Sequence, residues 1–505
     1  MLFNSAAFLF AFLPLLVGAF LFAEKLGWGS GSRIGLMLMA SVVFYIYWDP
    51  RYLALLLSSI LLNYLVGWSL ATSKIPTRRK LFLVAGVMAN LGILFWFKYA
   101  VFALSNLDAA LGIPDVVHNI VLPLGISFFT FTQIAFIVDV YQGKARESDF
   151  IKFALFVTYF PHLIAGPIIH HKEMMPQFDR MRLNWRGAAI GISCFVFGLA
   201  KKDLIADTLA PIANAVFAAA GHQGHLSLLE SWVGALAYTF QLYFDFSGYS
   251  DMAIGLSLLF GVRLPQNFNS PYKSTSVIEF WQRWHMTLSR FLREYLYIPL
   301  GGNRKGITRR YLNLLITMLL GGLWHGAGWT FILWGALHGV ALALNHAWRA
   351  LAGRSIRLPR PAAWTITFVF ILLAWIPFRS PTLQATMQLW QGMAMGNLVL
   401  PATWRSHLGF FADILASHGV FFTSLNMLFV PAKDLPVILL ALSIALLLPN
   451  TQQIMRRYHT VLESVAGESN FLWHANWRWA ALTAGLAALC LLCLFEPTTF
   501  IYFQF

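Results

Sequence analysis

Histidines inside apolar runs are the residues of this chain that could do chemistry, because burying an ionisable group is costly and is usually retained for a function. His325 lies in the apolar stretch 311–348, between two tryptophans and among glycines at 321, 322, 326 and 328. One helix over that stretch would be about 57 Å long, so the glycines predict a break beside His325. A buried neutral imidazole there could act as a base, or it could be a core residue that donates to a carbonyl exposed by the break.

A second histidine, His285, lies in a basic segment, since residues 273–310 contain eight Lys or Arg residues and two acidic ones. Ser276 and Glu279 are spaced as a capping box that opens a helix, and apolar residues follow at helical spacing. We interpret the segment as an amphipathic helix on the cytoplasmic leaflet, whose basic residues could also attract a phosphate-bearing donor. Ser289 lies one turn beyond His285, but no orienting acid is close in sequence, which disfavours a Ser-His nucleophile pair.

Two more polar stretches interrupt apolar sequence. Residues 241–251 carry Asp245 and Asp251, which have no fixed geometry on a broken helix, so we interpret them as helix caps rather than catalytic acids. His162 stands between two prolines, which favours a kinked span with a hydrogen-bonded histidine over direct chemistry. The sequence lacks the spacings of zinc sites, P-loops and serine-hydrolase elbows, and we predict no metal ligands.

The elements that must position these residues are helices in a membrane. The chain has 505 residues, of which 58% are hydrophobic and 11% are charged, and its mean hydropathy is +0.64. Soluble domains carry about 25% charged residues, so this composition excludes a soluble enzyme, a disordered chain and a fibrous protein. We predict an all-α integral membrane protein, a multi-pass helical bundle with short, broken and re-entrant helices around a central funnel or tunnel.

The basic residues indicate how the chain sits in the membrane. The formal net charge is +15, and the positive charges lie in short loops between apolar runs. That pattern indicates topology and contacts with anionic membrane lipids, and no nucleic-acid partner is expected. The loop at residues 73–80 carries four basic residues and no acidic one, so we expect it on the cytoplasmic side.

Five blocks of sequence resemble the membrane-bound O-acyltransferase family, in that family's order and spacing. The blocks are FPHLIAGP at 160–167, QLYFDFSGYSDMAIG at 241–255, NFNSPY at 267–272, FWQRWHMTLSRFLREYLYIPLGGNRKG at 280–306 and MLLGGLWHGAGWTFILWGALHG at 318–339. The chain most resembles the bacterial polysaccharide branch, typified by the membrane subunit of alginate O-acetylation. The resemblance implies a catalytic core over residues 1–350, with residues 351–505 as C-terminal transmembrane helices that complete the same membrane domain.

The resemblance also implies a site and a reaction. The histidine regarded as catalytic in the family matches His325, and a second polar residue, a histidine in this branch, matches His285. We expect no bound cofactor, acetyl-CoA as acyl donor, a periplasmic acetyltransferase as protein partner, and a secreted polysaccharide such as alginate or cellulose as final acceptor. The expected location is the bacterial inner membrane. The substrate contacts that we predict in these blocks are Trp324, Arg283, Asp245, Ser247, Tyr249 and Asn303.

Two alternatives stay open at this point. One is an O-acyltransferase whose acceptor is peptidoglycan or a membrane lipid. A lipid acceptor would call for a lateral opening between spans, whereas a polymer or protein acceptor would call for an exposed periplasmic mouth. The other is a non-catalytic transporter, whose histidines would line a pathway without any bond being broken.

Overall fold

The structure is a computed structural model, and it describes residues 1–111, 120–146, 149–183, 185–222, 224–351, 358–423, 427–465, 467, 469–495 and 501. Most of these residues are helical, which confirms the predicted all-α class. Two short parallel strands pair in the C-terminal third, β1 (Val399–Pro401) and β2 (Phe421–Thr423).

The α-helices are numbered in chain order. The first twelve are α1 (Leu13–Lys25), α2 (Ser30–Ile46), α3 (Leu53–Thr72), α4 (Pro76–Leu94), α5 (Ala100–Leu111), α6 (Ile126–Tyr141), α7 (Phe150–Thr158), α8 (Phe160–Leu163), α9 (His171–Phe178), α10 (Trp185–Ala200), α11 (Asp207–Gly221) and α12 (Leu228–Leu259). The others are α13 (Val277–Arg283), α14 (Met286–Leu292), α15 (Ile307–His325), α16 (Trp329–Leu351), α17 (Arg360–Arg379), α18 (Leu383–Met395), α19 (Ala402–Leu408), α20 (Phe410–Ser417), α21 (Pro431–Leu447), α22 (Thr451–Ile454) and α23 (Trp477–Leu492). Short π-helical segments occur at Phe8–Phe12, Phe95–Tyr99, Lys201–Ala206 and Arg293–Tyr297, and 3₁₀ turns at Pro50–Tyr52, Pro271–Lys273 and Arg456–Tyr458.

Several of these helices have the length and hydropathy of transmembrane helices. In the part of the chain that the structure describes, six helical stretches are long and apolar enough to cross a membrane. They are Phe8–Lys25, Pro50–Thr72, Pro76–Leu111, Gly187–Gly221, Trp329–Leu351 and Arg360–Arg379. Their outward faces expose large apolar side chains, which water would disfavour and lipid accepts. The chain is therefore a multi-pass membrane protein.

The polar residues 241–251 belong to an unbroken helix, so the interpretation of Asp245 and Asp251 as caps of a broken helix is wrong. They lie inside α12, which runs for 32 residues. Lys202 Nζ lies 3.0 Å from Asp245 Oδ1, and Lys201 Nζ lies 2.6 Å from Asp251 Oδ2. Because the neighbouring helix supplies a cation for each carboxylate, α12 has no need to break around them.

The basic segment is not one helix on the membrane surface, as we predicted, but two short helices inside the bundle. Helices α13 and α14 are separated at His285, which has a left-handed backbone with a φ of +43°. His285, Phe280 and Leu288 are buried, because the aromatic side of the segment packs against neighbouring helices. The N-cap is confirmed, since Ser276 Oγ accepts from the Glu279 amide at 3.2 Å.

The predicted break at His325 is confirmed. Helix α15 ends at His325, Gly326 is extended, and α16 begins three residues later and runs back antiparallel against α15. The kink at the two prolines is confirmed as well, because α7 ends at Thr158 and only the short α8 follows. There the His162 Nε2–H group donates to the Phe156 carbonyl at 3.0 Å, as expected of a structural histidine.

The C-terminal helices pack on the same bundle. Helix α17 contacts α12 and α16, α18 contacts α11 and α12, and α23 contacts α10. The division into a core at 1–350 and completing helices at 351–505 stays a prediction.

Candidate active site

His325 ends α15 inside a group of aromatic rings. Its ring centroid lies 4.8 Å from that of Trp324 and 5.1 Å from those of Trp334 and Phe378. These rings exclude water from most of the imidazole, and the residue is 5% exposed. His325 also helps to line a small cavity, described below.

Side chains from the π-helical segment Phe95–Tyr99 hold the end of α15. The last carbonyl groups of a helix have no partner within that helix, and a buried helix end must find donors elsewhere. Lys98 Nζ donates to the carbonyl oxygens of Trp324 at 2.6 Å and His325 at 2.9 Å. Tyr99 Oη donates to the Leu323 carbonyl at 2.8 Å. A lysine also suits this place because the C-terminal end of a helix carries partial negative charge.

Two glycines let α16 return close to α15 and so fix the direction in which His325 points. A Cβ atom at Gly335 would lie 2.4 Å from the Met318 carbonyl oxygen, and one at Gly322 would lie 2.3 Å from that of Phe331. Real Cβ atoms do not come so near to a backbone atom. The hairpin in this form therefore requires glycine at both positions.

His285 lies in a hydrogen-bond network that determines which of its ring nitrogens carries the proton. The Ile168 amide donates to Thr287 Oγ1 at 3.0 Å, so the Thr287 hydroxyl can itself donate to Asn267 Oδ1 at 2.9 Å. His285 Nδ1 lies 3.0 Å from the same oxygen. Because Oδ1 can only accept, Nδ1 carries the proton and Nε2 is left as an acceptor. That Nε2 atom is buried and has no hydrogen-bond partner among the residues described.

The two histidines meet at one indole ring. The Trp324 ring centroid lies 4.8 Å from the His325 ring and 6.3 Å from the His285 ring. Phe131 stacks on Trp324 at 5.1 Å and fixes its plane. His285 lies 40 positions before His325 in the sequence. The fold thus brings together three predicted site residues, which are His285, Trp324 and His325.

A small cavity reaches His325, and we call it the outer cavity. Its volume is about 110 Å³. Its lining residues are Trp48, Lys98, Leu122, Pro123, Leu124, Gly125, Ile126, Ser127, Phe128, Ile164, Trp324 and His325. Apart from Lys98, Ser127 and His325 the side chains of this lining are apolar or aromatic, so the cavity presents its polar groups around the imidazole.

A second cavity, which we call the basic cavity, has a volume of about 830 Å³. Arg290, Arg293, Arg304 and Arg310 line it, together with Met286 and Thr287, which follow His285 directly. The two acids in the lining are Glu294, which pairs with Arg290 at 3.3 Å, and Glu463, whose Oε2 accepts from the Gln266 amide. The lining thus keeps an excess of positive charge.

The two cavities lie at opposite ends of α6. The outer cavity is lined by the first residues of α6, whereas Tyr295, beside the basic cavity, donates to Asp139 near the end of α6 at 2.9 Å. The loop side of α4 lies at that same end, since Arg79 donates to the Tyr141 carbonyl. The excess of basic residues there favours the cytoplasmic side. The cavities share no lining residue among those described.

The other predicted substrate contacts are spread over the molecule. Asn303 lines the basic cavity, and Trp324 lines the outer one. Arg283 pairs with Glu279 at 2.8 Å and is in neither lining. Asp245 pairs with Lys202 deep in the bundle. Ser247 and Tyr249 are buried on α12 and are also absent from both linings, so a substrate role for these residues stays a prediction.

Three residues of the site were missed by sequence reasoning. Lys98 and Tyr99 belong to an apolar run more than 200 residues before α15, and Asn267 stands 18 residues before His285. One signal was available, because Lys98 is an ionisable residue inside an apolar run, which is the criterion that selected the histidines.

Together, the fold and the site define a multi-pass membrane protein with two buried histidines against one indole, a small cavity that reaches His325 and a basic cavity at the opposite end of α6. The profile of the MBOAT, or membrane-bound O-acyltransferase, family matches residues 116–380. The chain belongs to this family, and it is an O-acyltransferase, as the sequence blocks predicted.

Three relatives illustrate the range of the family. A peptidoglycan O-acetyltransferase of Helicobacter pylori is 44% identical over 78% of this chain and 80% of its own length. A Pseudomonas aeruginosa protein named probable alginate O-acetylase is 44% identical over 81% of this chain and 78% of its own. A teichoic acid D-alanyltransferase of Streptococcus thermophilus is 31% identical over 45% of this chain and 57% of its own. Since the chain is an O-acyltransferase, the transporter alternative is set aside.

Proposed function

We propose that this O-acyltransferase takes an acetyl group from a cytoplasmic thioester donor, acetyl-CoA, and passes it across the inner membrane for O-acetylation of a secreted polysaccharide. The observation that carries the proposal is the pair of cavities at opposite ends of α6, with His325 and His285 against one indole between them. In this arrangement the donor and the acceptor enter from different compartments, and only the acetyl group crosses.

The basic cavity is the proposed donor site. Arg290 is partly neutralised by Glu173 at 2.8 Å and Glu294 at 3.3 Å. Arg293 and Arg304 have no carboxylate partner in the described part of the chain. Their guanidinium groups suit the phosphates of coenzyme A, which they could bind with paired hydrogen bonds.

The outer cavity is the proposed acceptor site, and its size supports transfer through a partner protein. At about 110 Å³ it is far smaller than the basic cavity at about 830 Å³. A side-chain hydroxyl of a periplasmic acetyltransferase could enter such a space more easily than a sugar ring within a polymer. The partner would then place the acetyl group on the polysaccharide.

In the proposed reaction the acceptor hydroxyl oxygen attacks the thioester carbonyl carbon while its proton passes to the His325 imidazole. The carbon–sulfur bond breaks, and the thiolate takes that proton and leaves as free thiol. His285 Nε2, being an acceptor, would hold the acceptor molecule through a hydrogen bond and would not polarise the donor carbonyl.

Peptidoglycan is a second candidate acceptor. The observation in its favour is the relative from Helicobacter pylori, which is named peptidoglycan O-acetyltransferase and is as similar to this chain as the relative from Pseudomonas aeruginosa. The same pair of cavities would serve either acceptor, so the two are distinguished by measuring acetate on both polymers.

The test is replacement of His325 by alanine in the native host. We expect acetate on the secreted polysaccharide to fall by roughly 10²- to 10⁴-fold, the range for loss of a general base. The matched control is His474→Ala, because His474 is exposed and outside both cavities. Both variants must be present in the membrane at wild-type abundance.

The result also separates the candidates. Acetate lost from peptidoglycan alone would favour the second acceptor, and unchanged acetylation of both polymers would remove His325 from the reaction. Release of free thiol from acetyl-CoA by the purified protein would support the donor, and its absence with an active acceptor would contradict it.

A further inference from the structure

A third cavity, separate from the two of the proposed site, is lined by five arginines. It has a volume of about 940 Å³, and we call it the arginine cavity. The arginines come from four parts of the chain and are Arg33, Arg180, Arg182, Arg263 and Arg457. Its other lining residues are Pro176, Gln177, Gly187, Ile190, Leu258, Gly261 and Tyr458, and none of them is acidic.

These arginines lack carboxylate partners in the part of the chain that the structure describes. Among the described residues, no ion pair joins any of the five to a carboxylate. Arg33 Nε is buried and has no hydrogen-bond partner there. The nearby acids are engaged elsewhere, since Asp179 pairs with Lys152 at 2.8 Å and Glu24 accepts from the Leu183 amide at 2.7 Å. A concave surface of one charge sign attracts counter-ions.

The wall of the arginine cavity is held in place by specific backbone contacts. Gln177 brackets the backbone of Arg263, accepting from its amide at 2.9 Å and donating to its carbonyl at 3.1 Å. The Arg182 amide donates to the Phe260 carbonyl at 3.2 Å. Two of the arginine-bearing segments, the one with Arg180 and Arg182 and the one with Arg263, are therefore fixed relative to each other, so these three charges converge because of the fold and not by chance side-chain orientation.

The position of the cavity indicates the membrane surface. Arg33 is in the first turn of α2, whereas Trp48, just beyond the other end of that helix, lines the outer cavity. The arginine cavity is therefore on the face opposite the outer cavity, which the basic residues favour as cytoplasmic. Trp28, just before α2, and Trp185, at the start of α10, are close in sequence to the lining residues Arg33 and Gly187 and are 43% and 81% exposed. Exposed tryptophans at helix ends are typical of the headgroup level of a bilayer.

We propose that the arginine cavity binds the headgroup of an anionic phospholipid of the cytoplasmic leaflet, with room for a lipid that carries two phosphates. The guanidinium groups would take the phosphate oxygens, and Ile190 and Leu258 offer apolar contact to the glycerol and acyl part. Basic pockets between membrane helices on this side are suited to such lipids. The site lies outside the proposed reaction and does not depend on it.

The test uses the full-length purified protein in a zwitterionic detergent, titrated with cardiolipin, phosphatidylglycerol or phosphatidylcholine, with bound lipid counted by native mass spectrometry. The cavity variant is Arg180→Gln/Arg182→Gln/Arg263→Gln. The matched control is Lys74→Gln/Arg78→Gln/Lys80→Gln, which removes three exposed charges at and just before the start of α4, on the face where we expect the arginine cavity. Arg79 is left intact there because it bonds the end of α6.

We expect anionic lipid to bind in preference to phosphatidylcholine, and the cavity variant to bind it more weakly by on the order of 100-fold, about fivefold per arginine. The control should bind as the wild type does. An equal loss of affinity for anionic lipid in both variants would show that the lipid responds to surface charge in general, and it would overturn the proposal. Displacement of cardiolipin by millimolar inorganic pyrophosphate would make the cavity a site for soluble phosphates and would overturn it too.

If the triple variant does not fold, the single variants Arg263→Gln and Arg457→Gln replace it, since both residues are exposed and their side chains make no hydrogen bond within the described part of the chain. Each should weaken cardiolipin binding about fivefold. Wild-type affinity in both would contradict the proposal.

Discussion

At the scale of single residues, the most informative feature is the way each histidine is held. His325 is positioned through its own backbone, because Lys98 bonds the carbonyl groups at the end of α15. His285 is positioned through its ring, because Asn267 fixes the proton on Nδ1. The end of α15 thus determines the position of His325, and the side-chain amide of Asn267 leaves His285 Nε2 as a hydrogen-bond acceptor.

Lys98→Met should remove the cation that holds the helix end while keeping the length of the side chain. Two buried carbonyl groups would lose a charged donor, which costs roughly 1–3 kcal/mol for each group left without a partner. We expect kcat of acetyl transfer to fall at least tenfold with KM for the proposed thioester donor nearly unchanged, since Lys98 does not line the basic cavity, which is the proposed donor site.

Two comparisons make the Lys98 test specific. Lys98→Arg keeps a donor and should recover part of kcat, whereas Lys80→Met removes an exposed lysine and should leave kcat unaltered. A loss of kcat in Lys98→Met equal to that in Lys98→Arg, with an unchanged melting temperature, would contradict a role in positioning His325.

At this scale, the sequence predicted both histidines and Trp324 but not the polar residues that hold the histidines. The glycines beside His325 and the matching blocks identify both imidazoles. Lys98 is an ionisable residue in an apolar run and Asn267 opens one of the matching blocks, but neither pattern says which histidine the residue contacts, because both reach the histidines only through the tertiary fold. Spacing along one helix says which side chains share a face, but it does not say which helix packs against it.

At the scale of elements, α12 shows how charge can stay inside a continuous helix. Asp245 and Asp251 are about one and two-thirds turns apart on α12. The π-helical segment Lys201–Ala206, which follows α10, brings Lys202 and Lys201 to them. Ile501 adds a backbone amide to Asp245 at 3.0 Å. The sequence predicted a break here because the compensating lysines are some 50 residues away.

Lys201→Met should destabilise the bundle, because Asp251 would be left as a buried carboxylate that keeps, among the described residues, the hydrogen bond from the Gln452 side-chain amide at 2.9 Å. Removing one member of a buried pair costs roughly 3–5 kcal/mol, whereas replacing both can be nearly neutral. We expect a lower melting temperature in detergent for Lys201→Met and recovery in Lys201→Met/Asp251→Asn. A double variant less stable than the single would show that the pair is not what stabilises this contact.

At the scale of the whole molecule, the two faces have opposite character. The outer cavity is small and largely apolar, and the basic and arginine cavities lie on the face that the positive residues assign to the cytoplasm. The multi-pass helical class was predictable from composition alone. The positions of the cavities were not predictable from the sequence, because each cavity is lined by residues from distant parts of the chain.

Cysteine labelling can test this orientation. In a variant with Cys194, Cys490 and Cys493 replaced, Asn303→Cys should react with a membrane-impermeant maleimide only after the cytoplasmic side is opened, because Asn303 is exposed in the basic cavity. Val121→Cys, exposed beside the outer cavity, should react in intact spheroplasts. The reverse pattern would invert the topology, and with it the compartments proposed for donor and acceptor.

The left-handed backbone at His285 makes alanine an ambiguous replacement at this position. Among residues with a side chain, asparagine accepts a φ of +43° most readily, and alanine accepts it poorly. Replacing His285 by alanine would therefore strain the backbone and remove the imidazole at the same time. Activity would fall whether or not the His285 Nε2 atom contacts substrate. Asparagine keeps the path and removes the ring, so it isolates the chemical contribution of this position from the conformational one.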